Sequence, residues 1–331
     1  MLHTTLCTLL NIQLPIIQAP IGSATSPELV AAVSNAGGLG MLALSWRNLE
    51  ECRQIIRETR RLTNLPFGIN LVLEWSQVER LKVCLEEEVK IVSFFWGNPE
   101  PYIQIAHDSG AVVLHAVASA SEAKQAVEAG VDVIVAQGWE AGGHVWGKVA
   151  TFALVPSIVD VVSSIPVVAA GGIADGRGIA AALALGASGV WMGTRFLVSD
   201  EASVHPLYKQ KIIEATEDNT VYSSLFDIGW SNAPHRTLRN STVSNWEADG
   251  NPPMSKRPNE GEIIAYFADG RQIERYSDVI PLPGMSGDVE ALALYAGQSA
   301  GLVSRLQPAG EIVQQLADEA ANVLAKCATL V

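Results

Sequence analysis

The chain has 331 residues, 48% apolar and only 17% charged, which allows a large core and argues against a disordered chain. Its formal net charge of −13 repels phosphate backbones and excludes nucleic acid and anionic membrane as expected partners. The four cysteines (Cys7, Cys52, Cys84 and Cys327) form no Cys-x-x-Cys pair and no metal-ligand spacing, so the expectation is buried thiols in a reducing compartment and no metal site.

Met1–Pro15 has a short apolar character but no basic leader. No apolar run reaches the roughly 20 residues of a membrane span. A soluble, cytoplasmic protein is expected. From Ile16 onward one unit recurs: a short apolar run, a loop, an alanine-rich helix, then a glycine. Ser26 is placed to cap a helix with Pro27 at its first position, running to about Ala36 before Gly37-Gly38. The same glycine stop recurs at Gly110, Gly130 and Gly186, where a left-handed residue ends a helix.

The apolar runs lie at 16–19, 39–42, 67–70, 91–96, 112–117, 131–136, 166–170 and 189–192. They are short, continuous and rich in Val and Ile, as strands buried on both faces are. Eight β-α units favour an α/β fold of the closed (β/α)8 (TIM) barrel type over an open doubly wound sheet. After Val198 the pattern changes. Residues 215–285 are polar, contain Pro252-Pro253, and carry Tyr222, Trp230 and Trp246 as aromatic packing points. The expected division is a barrel of 1–214 and 286–331, with 215–285 as an inserted, substrate-side region near the mouth. Helical periodicity is expected to return over Val289–Leu306 and Ile312–Ala325.

In such a barrel, ligands sit where the strands end at their C-terminal side. Those ends read Gln18-Ala19-Pro20-Ile21, Gly68-Ile69-Asn70, Gln137 through Gly142-Gly143-His144, Ala170-Gly171-Gly172 and Gly193-Thr194. Small residues and amides suit a flat ligand lying against backbone rather than a metal cluster. Gly171-Gly172 and Gly193-Thr194 form a candidate phosphate site, because glycine lets N–H groups approach an anion after strands seven and eight. Asn70 and Gln137 can donate to and accept from a heteroaromatic ring. Ala19, Pro20, Ile21, Gly142 and Gly143 complete the expected cofactor contacts.

His144 follows two glycines on a loop, and histidine changes charge nearest neutral pH, so it is the candidate proton-transfer residue. Glu140 is placed either to orient that loop or the imidazole, or to serve structure alone. The remaining histidines are weaker candidates. His115 lies within a strand, His205 precedes Pro206 as a helix cap, His235 lies in the insertion, and His3 and His107 have surface patterns.

Together these segments resemble the nitronate monooxygenase (2-nitropropane dioxygenase) family over about residues 15–300. Pro234-His235-Arg236-Thr237-Leu238-Arg239-Asn240 and Tyr295-Ala296-Gly297-Gln298 resemble further family segments. The FMN-dependent enoyl-acyl-carrier-protein reductases share the central stretches. The resemblance implies FMN at the barrel mouth, its phosphate at Gly171, Gly172, Gly193 and Thr194, and His144 as catalytic acid or base. It implies oxidation of alkyl nitronates, with a small-molecule substrate and dioxygen as partners, or else an NAD(P)H-dependent enoyl or quinone reductase. A homo-oligomer is compatible with either. Trp139 and Trp146 are bulkier, and Tyr295 smaller, than the family pattern.

Overall fold

The computed structural model describes residues 2–162 and 164–330. The apolar runs form β1 (Ile16–Gln18), β2 (Gly40–Ala43), β3 (Phe67–Val72), β4 (Ile91–Phe95), β5 (Val112–Val117) and β6 (Val133–Gln137). After a two-residue strand that stands apart, β7 (Gly143–His144), come β8 (Val167–Ala170) and β9 (Gly189–Met192). Eight of these pair in parallel in the order β1-β9-β8-β6-β5-β4-β3-β2. Leu39 closes the ring, accepting from the Gln18 N–H and donating to the Ile16 carbonyl, both at 2.9 Å. The expected (β/α)8 barrel is thus formed. All residues of β1 and β3 are buried, which is why their apolar runs do not alternate.

Helix signals read locally hold up. Ser26 Oγ accepts from the Leu29 N–H at 3.1 Å and caps the helix Pro27–Asn35. His205 Nδ1 accepts from the Leu207 N–H at 3.2 Å and caps Pro206–Glu214.

Inside the barrel, Ile17, Met41, Ile91, Leu114, Val133 and Val168 pack with Leu6, Cys7 and Leu10 of the helix Thr5–Leu10. That helix closes the bottom. Thr4 Oγ1 donates to the Ser188 carbonyl at 2.6 Å. Gly189 makes room for it, since a Cβ there would lie 2.5 Å from Leu6 Cδ2. With the lower end plugged, ligands enter from the C-terminal end of the strands.

Two expectations fail. Val289–Leu306 is not one helix: it holds 3-10 turns at Val289–Ala291 and Gln298–Leu302 with extended chain between them. Tertiary pairing overrides its periodicity. The Leu238 N–H donates to the Leu294 carbonyl at 2.7 Å, and Tyr295 bridges Thr237. The second helix does form, and is longer, over Ala309–Ala328. Cys7, Cys52 and Cys84 are buried, but Cys327, near the end of that helix, is exposed.

The segment 215–285 contributes β10 (Thr220–Ser223), β11 (His235–Leu238), β12 (Ile263–Tyr266) and β13 (Gln272–Glu274). β10, β11 and β7 form an antiparallel sheet, with His235 opposite His144. This places residues more than 70 positions downstream directly over the loop that follows β6.

Candidate active site

At the C-terminal end of the strands lies a cavity of about 410 Å³, within the usual range for small-ligand sites. A closed parallel barrel brings eight strand ends to one rim. Ala19, Pro20 and Ile21 after β1, Asn70 in β3, and Gln137 at the end of β6 line it. So do Gly142, Gly143 and His144 around β7, Gly171 and Gly172 after β8, and Gly193 and Thr194 after β9. Sequence positions spread over some 175 residues therefore share one wall.

Gly171 and Gly172 adopt left-handed φ of 96° and 75°, which only glycine takes without strain. Among the described residues, neither N–H donates to a backbone or side-chain acceptor outside the ladder. Gly142 is required for a different reason: a Cβ would lie 2.4 Å from the Gly297 nitrogen. The cavity wall carries no Lys or Arg among the described residues. Arg195 turns away from it and donates to the Val198 carbonyl and to Gln307 Oε1. An anion here would be held by backbone N–H groups and the Thr194 hydroxyl, which already accepts from the Gly297 N–H at 2.9 Å.

Three buried polar atoms of lining residues lack hydrogen-bond partners: Asn70 Oδ1, Gln137 Oε1 and His144 Nε2. A buried unpaired polar atom costs about 1–3 kcal/mol, so three around one cavity mark where a polar ligand completes the structure. Gln137 Nε2 is already committed, donating to the His144 carbonyl at 3.1 Å. That bond fixes the amide's orientation and points its oxygen elsewhere.

His144 is held among aromatic rings. Trp230 lies against it at 4.2 Å between centroids, with Tyr295 at 5.4 Å and His235 at 5.6 Å. Burial, aided by His235, pushes its pKa down to about 3, so the imidazole is neutral at physiological pH. His235 is fully buried and also neutral. Its Nδ1 donates to the Ala233 carbonyl at 2.9 Å and its Nε2 accepts from the Phe226 N–H at 3.2 Å, which fixes the tautomer. His144 was expected to titrate near neutrality; in this surrounding burial holds its imidazole in the neutral form.

Glu140 does not reach the imidazole. It accepts from the Thr151 N–H at 2.9 Å and from the Thr151 hydroxyl, tying down the loop at a helix start. Arg236 clamps the same loop from the other side. It donates to the Trp139 carbonyl at 2.8 Å and lies over the Trp139 ring at 4.9 Å. Buried His115 donates from Nδ1 to the Phe94 carbonyl, 3.2 Å away, and serves the barrel wall. His107 pairs with Asp132 at 2.9 Å, and His3 is exposed. Trp230, Asp278 and Tyr208 line the cavity or its histidine without having been singled out as site residues. In the sequence Trp230 reads only as an aromatic packing point of the 215–285 region, and Tyr208 and Asp278 carry no local signal of their own.

A closed parallel barrel with glycine turns after β8 and β9, and a ligand-sized cavity at its mouth, defines the class: a (β/α)8 barrel with a small-ligand site at the C-terminal end of its strands. The chain belongs to the nitronate monooxygenase family, whose model matches residues 3–79 and 74–319. It is 35% identical to the nitronate monooxygenase of Paraburkholderia phytofirmans, with 95% of this chain and 94% of that protein covered. It is 32% identical, over 100% of this chain and 99% of the other, to the (3aS,4S,5R,7aS)-5-hydroxy-7a-methyl-1-oxo-octahydro-1H-indene-4-carboxyl-CoA dehydrogenase of Mycobacterium tuberculosis. Among solved structures, FabK from Thermotoga maritima superposes with a TM-score of 0.85 at 36% identity, covering all of both chains. No helix among the described residues is long and apolar enough to cross a membrane.

Proposed function

We propose that this protein is an FMN-dependent nitronate monooxygenase, converting alkyl nitronates and dioxygen to carbonyl compounds and nitrite. The observation that carries this reading is the trio of unpartnered buried atoms, Asn70 Oδ1, Gln137 Oε1 and His144 Nε2, around a cavity floored by left-handed glycines. Those residues fit FMN. Gly171, Gly172, Gly193 and Thr194 would hold its phosphate through N–H groups. Asn70 and Gln137 would pair with polar edges of its ring, and Ala19, Pro20, Ile21, Gly142 and Gly143 would allow close backbone approach. FMN, when bound, supplies the redox chemistry; the protein supplies binding, orientation and electrostatics.

His144, neutral and aimed into the cavity, would hydrogen-bond a nitro oxygen of the substrate. Trp230 and Tyr295 would hold the ring in place and keep water from it. The segment 215–285 would form the substrate side, through Trp230 and Phe267.

A second reading is favoured by the full-length similarity to FabK and to the CoA dehydrogenase: an NAD(P)H-dependent enoyl or quinone reductase, in which His144 would hydrogen-bond the acceptor. One experiment separates them. Purified holoenzyme is mixed with NADH or NADPH without oxygen, and separately with an alkyl nitronate under air. Nitronate turnover with nitrite release and no nicotinamide is expected. Flavin bleaching by NADH or NADPH, with no nitrite from nitronate, would establish the reductase instead. Acid release should yield FMN; FAD would sink the cofactor assignment.

A further inference from the structure

Three tryptophans form a continuous path from solvent to His144. The Trp46 and Trp75 rings meet edge-on at 6.1 Å between centroids, Trp75 meets Trp230 at 5.2 Å, and Trp230 lies on His144 at 4.2 Å. Trp46 and Trp230 both line the cavity. Distant stretches of chain supply these rings. Trp46 and Trp75 follow the paired strands β2 and β3, whose ends a parallel barrel sets side by side, and Trp230 comes from the inserted segment. A second row backs the path. Trp96, just after β4, stands edge-on to Trp230 at 5.0 Å and to Trp146 at 4.9 Å, and Trp146 meets Phe95, another cavity residue, at 5.3 Å. Trp96 takes a left-handed φ of 64°. A bulky residue is costly there and is kept only where its surroundings fix it, as these packed rings do.

The inner end of this path is closed and the outer end is open. Trp230 is 3% exposed, whereas Trp75 is 37% and Trp46 53% exposed. Tryptophan is on average highly buried, so two adjoining indoles left open at the edge of a ligand cavity forgo the burial that an apolar part of the ligand would give them. The charges of the cavity point the same way. Among its described lining residues Asp278 alone carries a charged side chain, and no Lys or Arg faces it. Burial raises the Asp278 pKa to about 6, so above that pH it is a carboxylate. A ligand carboxylate would lose its water against indole rings, with no cation to replace it and one like charge nearby. A phenyl ring there would gain both apolar burial and ring–ring contact.

We propose that Trp46, Trp75 and Trp230 form a specificity subsite for an aromatic substituent on the substrate, so that aryl-bearing nitronates are preferred and carboxylate-bearing ones rejected. The reacting group lies at His144, and the substituent extends along the ring path toward Trp46. Trp96 and Trp146 hold the inner ring of that path in place. The inference rests on the nitronate reading above for the identity of the reacting group, and adds to it what the rest of the substrate is.

The test compares three preformed nitronates on aerobic holoenzyme, at a pH well above the Asp278 pKa of about 6. Propyl nitronate is the reference; propionate 3-nitronate carries a carboxylate in place of its methyl group, and the nitronate of 2-phenylnitroethane carries a phenyl ring there. Wild type should show kcat/KM at least about 10-fold higher for the phenyl compound than for the propyl one, the low end of what an added apolar group gains in a fitted pocket. Propionate 3-nitronate should fall below the propyl reference. Trp46→Ala, at an exposed position that folding tolerates, should lower the phenyl-to-propyl ratio by about 3–10-fold, the scale of one aromatic contact. Trp46→Phe should keep most of it. Calorimetric binding of the neutral parents, 2-phenylnitroethane and 1-nitropropane, to anaerobic holoenzyme reads the same subsite without turnover, and should show the same preference and the same loss in Trp46→Ala. Equal kcat/KM for phenyl and propyl, a preference for propionate 3-nitronate, or an unchanged phenyl preference in Trp46→Ala overturns the inference. If no nitronate is oxidised, the functional reading fails, and binding decides the subsite: tighter, Trp46-dependent binding of 2-phenylnitroethane upholds it, and equal binding of the two parents overturns it.

Discussion

His144 and His235 stand opposite each other across the β7–β11 strand pair, with ring centroids 5.6 Å apart and at most one buried polar atom between them left free for a ligand. Two imidazoles this close, both enclosed, can only be neutral together, since burial and mutual repulsion both oppose protonation.

This arrangement sets the acid stability. Folded pKa values are lowered to about 3 for His144 and about 4 for His115 and His235, against about 6.5 unfolded. Their contribution is complete above the unfolded value and is lost as pH falls toward the folded ones. Between pH 5 and 6 the unfolded chain binds three protons that the folded chain does not. Asp278, raised to about 6, opposes this with one proton held by the folded state. The net uptake on unfolding is then about two protons, and stability should fall by about 3 kcal/mol per pH unit on acidification. Unfolding free energies at pH 5.2 and 5.8 measure it. A flat dependence would mean the histidines are charged in the fold.

His144→Ala should keep its flavin and lose turnover by about 10²–10³-fold, the usual cost of removing one preorganised donor from a reacting oxygen. Because His144 stays neutral throughout the working range, the shape of the pH–rate profile should not change. Disappearance of a limb near pH 6–7 in this variant would show that the imidazole titrates. Turnover within threefold of wild type would remove it from the chemistry.

Gly172→Asp should fold and lose FMN. A Cβ at Gly172 has ordinary clearance, 3.6 Å from Glu140 Cβ, so the strain lies in the φ of 75° rather than in a clash. The added side chain would stand beside Glu140, with Glu140 Oε1 3.6 Å from its Cβ, and place a second negative charge on the loop proposed to hold the phosphate. Gly172→Ala carries the same backbone strain without the charge and should retain flavin. Flavin absorbance after gel filtration compares the two, and full occupancy in Gly172→Asp would place the phosphate elsewhere.

Trp230→Ala should cost about 3–5 kcal/mol of stability, since Trp230 is only 3% exposed and its removal leaves a cavity beside His144. It should also raise KM, because the imidazole loses the ring stacked on it at 4.2 Å. Trp230→Phe should recover much of both. If KM is unchanged in the alanine variant while stability falls, Trp230 supports the fold without positioning His144.

Much of the site was legible because strand ends are local. Gly142-Gly143-His144, Gly171-Gly172 and Gly193-Thr194 each follow an apolar run, and a parallel barrel carries all such ends to one rim. Local capping signals were equally readable, as at Ser26 and His205. Val289–Leu306 misled because its helical spacing is real but outcompeted. Leu294 and Tyr295 gain more by pairing with β11 than by closing a helical turn.

The sequence alone therefore determined the eight-strand barrel, its glycine-lined rim and the placement of His144 on that rim, because each depends on patterns a few residues long. Only the tertiary structure decided that Trp230, His235 and Tyr295 surround the imidazole, that Asp278 lines the same cavity, that Thr5–Leu10 plugs the barrel floor, and that His144 is neutral. Those facts rest on contacts between distant segments and on the desolvation they produce, and no short stretch of chain carries either.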